Sequence, residues 1–151
     1  MLQDGEHVLA VLVARPLRWP RGTAGSVELG AAQDARARDE AAEAGLALAS
    51  HMALVLTERR LLALRIGPSF ARGAGRAPEP LGAVPLERVD AIGVARRGLG
   101  RRVTVTVGGR HVRVEAGPFA GARALAAAFA DAKGGRARPA PVGVQPVLVG
   151  E

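Results

Sequence analysis

The chain has 151 residues, no cysteine and a net charge of +7, and it is 48% hydrophobic but only 3% aromatic. That is enough apolar material for a core of Val, Leu, Ile and Ala, and it excludes disulfides, zinc–cysteine sites and cysteine nucleophiles. It also leaves few rings on which single-stranded nucleic acid could stack.

The N-terminal Met1-Leu2-Gln3-Asp4-Gly5-Glu6 lacks the basic-then-apolar pattern of a secretory signal. No stretch approaches the ~18 unbroken apolar residues of a membrane span. The expectation is a cytoplasmic protein without a transmembrane segment, with attachment to the membrane periphery as the alternative. His7 to Arg15 reads HVLAVLVAR and is stopped by Pro16, which predicts a first strand. Pro16, Pro20, Gly22 and Gly25 then make a loop. From Ala31 to Ala49 good helix formers predominate, but the apolar side is mostly alanine, so residues 16–50 read as a helical or disordered insertion that buries little. Gly45 is its expected stop.

In His51 to Gly67 two apolar runs flank Thr57-Glu58-Arg59-Arg60. A hairpin places Leu56 opposite Leu61 and Val55 opposite Leu62; one buried helix is the competing reading, because periodicity does not separate the two. Residues 67–80 are rich in Gly and Pro and read as a loop. Leu81–Leu86 and Val89–Arg96 follow as short strands. The clearest local signal is RRVTVTV-GG-RHVRVEA, residues 101–116. Gly108-Gly109 suits a two-residue primed turn. Counting outward pairs Val107 with Arg110, Thr106 with His111, Val105 with Val112, Thr104 with Arg113, Val103 with Val114 and Arg102 with Glu115. Val103, Val105, Val112 and Val114 then share one face, which is the phase agreement a hairpin requires. Pro118 to Lys133 is predicted helical, with Pro118 in the first position and Phe119, Ala122, Leu125, Ala126 and Phe129 on one stripe. Residues 134–151 read as an extended or flexible tail, although Val147-Leu148-Val149 could add to a sheet edge.

Six or seven strands in hairpin order followed by one amphipathic helix make a mainly β (α+β) protein. The order resembles the pleckstrin-homology superfold, in particular bacterial PH-like and GRAM-like domains. The residues that carry the likeness are Gly5-Glu6-His7-Val8-Leu9-Ala10, Leu56-Thr57-Glu58-Arg59-Arg60-Leu61-Leu62, Val84-Pro85-Leu86-Glu87-Arg88-Val89 and the hairpin 102–115. The resemblance covers residues 5–132, interrupted at 16–50. It implies one PH-like domain over 1–133, an antiparallel β-barrel or sandwich capped by a C-terminal helix.

No catalytic set is apparent. His7, His51 and His111 have no second histidine at metal spacing, no phosphate-binding Gly-rich loop is present, and Asp39-Glu40 and Glu87…Asp90 read as surface carboxylates. Neither a metal nor a cofactor is expected, and the chain reads as a non-enzymatic module. Charge is the stronger lead. Residues 1–50 hold five basic and seven acidic residues and residues 51–151 hold sixteen and seven, so the positive excess lies in the second part. Arg96, Arg97, Arg101, Arg102, Arg110 and Arg113 occur with no acid from Ile92 to Val114, and are candidates for an anion or partner site. Arg15, Arg18, Trp19 and Arg21 follow the first strand; in lipid-binding PH domains the corresponding loop contacts headgroups, so the resemblance makes these four candidate membrane residues. A protein partner or self-association is the leading expectation, anionic lipid the second and nucleic acid the third.

Overall fold

A computed structural model describes residues 2–17, 26–67, 77–118 and 120–134, with only the backbone for 26–34. Its elements are β1 (Val8–Pro16), α1 (Ser26–Ala44), β2 (Met52–Thr57), β3 (Arg60–Arg65), β4 (Glu79–Pro85), a 3-10 turn at Leu86–Arg88, β5 (Val89–Arg97), β6 (Gly100–Val107), β7 (Arg110–Ala116) and α2 (Ala122–Lys133). The seven strands form one antiparallel sheet in the order β4-β3-β2-β1-β7-β6-β5, which is not closed.

β1 joins the two halves of this sheet. From Val8 to Ala14 it pairs with β2, and at Arg15 and Pro16 it pairs with β7. The hairpin 100–116 has the register that counting from Gly108-Gly109 gives, from Val107↔Arg110 out to Arg102↔Glu115. Both glycines have positive φ, at 56° and 83°, as a primed two-residue turn requires. Residues 52–65 form a hairpin, with Leu56↔Leu61 and Val55↔Leu62, and not a helix. The reason is local. The Thr57 hydroxyl accepts the Arg59 and Arg60 amides, each at 3.1 Å, and this side-chain alternative competes with helical backbone bonding.

One core runs across both halves. It unites Leu12, Leu54, Leu56 and Leu61 with Val103, Val105, Val112 and Val114 and with Leu125 and Phe129 of α2. α2 touches β1, β2 and β5, which belong to different halves. Val55, Leu62 and Leu64 form a smaller cluster on the opposite face of β2–β3.

Three expectations need correction. A closed barrel does not form, because β4 and β5 each end the strand order; β4 carries Pro80 and Pro85, which lack an amide with which to recruit a further strand. α2 begins at Ala122 and not at Pro118. Gly121, at φ 93°, is its N-cap, and Ala120 closes a turn onto the Gly117 carbonyl at 3.2 Å. Phe119 lies outside the described residues, so only Ala122, Leu125 and Phe129 of the expected stripe are seen buried. Finally, the Ala-rich segment contributes to the core. Ala41 and Ala44 are buried, as is Leu46 just beyond the Gly45 stop, and small side chains are what let this helix lie close to its neighbours.

Candidate functional site

Strand parity sorts the arginines. Val103, Val105, Val112 and Val114 face the core, so Arg102, Thr104 and Thr106 of β6 and His111, Arg113 and Glu115 of β7 face outward. Arg15 of β1 is opposite Glu115, and Glu115 is opposite Arg102, so one row crosses three strands. Arg97 joins from the end of β5: its partner is Gly100, which has no side chain to obstruct it. The Glu115 carboxylate is 3.0 Å from Nε of Arg15 and 3.4 Å from Nε of Arg97. This single carboxylate serves two guanidinium groups on a face that also carries Arg102 and Arg113. The Thr106 hydroxyl and Nδ1 of His111 are 3.1 Å apart on the same face.

The six arginines of the hairpin region therefore do not converge. Arg97, Arg102 and Arg113 form the outward face with Arg15. Arg96 and Arg101, paired across β5–β6, have the opposite parity and line a shallow notch with Arg123 of α2. Arg110 stands beyond the β6–β7 turn and is paired with Glu43 of α1. The stretch between Ile92 and Val114 is poor in acids along the chain, but the fold brings carboxylates to it: Glu43 to Arg110, and Glu40 to the His111 amide at 2.6 Å. Arg18, Trp19 and Arg21 lie outside the described residues. No family model and no curated protein matches this sequence.

The segments 5–10 and 56–62 are joined to each other physically. The side chain of Glu6 is fully buried and receives Arg60 in a two-pronged bond, Nε to Oε2 and Nη2 to Oε1, both at 2.9 Å. The Thr57 hydroxyl donates to Oε2 at 2.7 Å and the Gln3 amide to Oε1 at 2.8 Å. The Arg60 bond, with help from Gln3 and Thr57, holds the Glu6 carboxyl down at about 2, from an ordinary value of 4.5, against the opposing effect of burial. Beside it, the Glu58 carboxylate accepts the His7 amide at 2.8 Å. This network fastens the N-terminus to the β2–β3 turn.

Arg123 was not among the sequence candidates. A signal for it existed: it stands three residues before Ala126, at the border of the predicted apolar stripe, where a helix residue can reach a neighbouring strand. Nothing in the sequence placed Arg96 and Arg101 on the side of β5–β6 that meets this helix. Among the described residues no group of His, Cys, Asp and Glu is arranged to hold a metal, and no helix is long and apolar enough to cross a membrane.

Proposed function

We propose that this chain is a PH-like, non-enzymatic binding module that takes an extended acidic segment of a protein partner on the edge of β5 and the arginine face beside it. The observation that carries this reading is the charge of that face, where Arg15, Arg97, Arg102 and Arg113 share the strand face of Glu115. The edge adds the backbone side of the argument. β5 is nine residues long without proline and, among the described residues, pairs only with β6, whereas the other edge strand contains Pro80 and Pro85. An added strand would gain main-chain hydrogen bonds from β5, and its acidic side chains would meet the arginines. The PH-like assignment is supported by the strand order, by β1 shared between two ladders, and by a C-terminal helix packed on both.

The test uses a peptide of alternating valine and glutamate, with its glutamine counterpart as control, titrated into the isotope-labelled chain. Amide shifts are expected in β5 and β6, and affinity should fall as salt rises. Arg102→Glu combined with Arg113→Glu is expected to weaken binding about tenfold or more. Equal binding of the glutamine peptide, or shifts confined to other strands, overturns the proposal. Capture by acidic vesicles without peptide binding would replace it with the lipid reading. A dimer formed through β5, seen by light scattering, would replace it with self-association.

A further inference from the structure

We infer that the notch between the β5–β6 hairpin and α2 is a second anion site, separate from the arginine face, and that it takes a phosphomonoester or inorganic phosphate. Its walls are Arg96 and Arg101 from the hairpin and Arg123 from α2, and the remaining lining is apolar: Val94, Ala95 and Ala126. Three guanidinium groups thus line one depression to which, among the described residues, no carboxylate contributes. By contrast, Arg15, Arg60, Arg97 and Arg110 each meet a carboxylate. Arg101 uses one nitrogen on the Gly100 carbonyl, at 3.1 Å, which orients its guanidinium and leaves its other donors available.

Size and local field point the same way. The notch holds about 190 Å³, below the roughly 300 Å³ at which sites for drug-sized ligands begin. A compact tetrahedral anion suits it better than an extended organic ligand. Arg123 lies in the first turn of α2, where there is no acidic residue and the N-cap Gly121 supplies no side-chain bond. The positive end of that helix therefore adds to the three formal charges. Arginine forks match phosphate oxygens in pairs, and like charges gathered in one depression are stabilised by a shared counter-charge.

Titration of inorganic phosphate into the full chain, followed by amide shifts, tests the site. Saturable shifts are expected at residues 95–101 and 122–126, with sulfate weaker than phosphate at a pH where phosphate is doubly charged. Arg123→Gln should reduce the affinity about tenfold, and Arg96→Gln with Arg101→Gln should remove it, while both variants keep the wild-type melting temperature to within a few degrees. A parallel arm uses vesicles with and without phosphatidic acid. Binding lost in Arg123→Gln on vesicles alone identifies a lipid headgroup as the source, and binding of free phosphate identifies a soluble one. No saturable shift in either arm, or affinities unchanged by the three substitutions, overturns the inference. The acidic-peptide titration reads Arg102 and Arg113, so failure of one site leaves the other standing.

Discussion

The residue that most rewards a test is Glu6. A carboxylate with its side chain fully covered is tolerable only because Arg60, Thr57 and Gln3 complete its hydrogen bonds. Removing Arg60 leaves the covered Glu6 carboxylate without its countercharge. Arg60→Ala is expected to cost about 3 kcal/mol in chemical denaturation, and Thr57→Val about 1–2 kcal/mol, since it also unties the β2–β3 turn. The pH dependence has a definite sign. The Glu6 carboxyl titrates lower in the folded chain, at about 2, than its ordinary 4.5. Its contribution is therefore complete above pH 4.5 and is lost as pH falls toward 2. Glu6→Gln should flatten that part of the stability–pH curve, measured by thermal melting between those limits. An unchanged acid limb would show that other groups control acid unfolding.

Between elements, α1 is the informative case. Its composition gives little reason to dock, yet it fills the gap that opens where β7 parts from β1. β7 pairs with β1 only at Val114 and Glu115, and the His111 amide, further along, is taken by Glu40. Glu40→Ala should expose that amide, at a cost of about 1 kcal/mol, and hydrogen exchange at His111 should accelerate while exchange at Val105 and Val112 does not. The far end of α1 is fixed by contact of another kind. A Cβ placed on Gly82 of β4 would stand 2.2 Å from the Gly45 carbonyl oxygen, so the strand and the turn after the helix approach backbone to backbone. Gly82→Ala is expected to destabilise by about 2 kcal/mol, seen as a melting temperature lower by several degrees. α2 depends on ordinary burial: Phe129→Ala, at a side chain 5% exposed, should cost ~3 kcal/mol or more.

For the whole molecule, the ladder order sets a kinetic expectation. The halves of the sheet meet through pairs such as Arg15 with Glu115, which are 100 residues apart. Hairpins can form locally, but this junction closes a long loop first. Stopped-flow refolding should therefore fall in the millisecond-to-second range. If the β1–β7 junction forms after the barrier, Arg15→Ala will mainly speed unfolding; slower folding would place the junction in the transition state. The charge of +7 acts at this scale too, since a net positive field speeds encounters with anions at low salt.

The pieces legible along the chain are those whose information is local. Gly108-Gly109 and two alternating valine runs set the β6–β7 register residue by residue, because a one-residue slip would turn every valine outward. The 52–65 hairpin was legible with a helix as its rival, and the Thr57 hydroxyl decided between them. The acid-free run from Arg96 to Arg113 was legible along the chain. Only the tertiary structure divided those arginines among an outward face, a notch under α2 and a contact with Glu43. It alone buried Ala41 and Ala44 and joined Glu6 to Arg60, 54 residues apart. The physical reason is the same in each case. Register depends on neighbours along the chain, whereas burial and charge pairing depend on which distant segment occupies the other side.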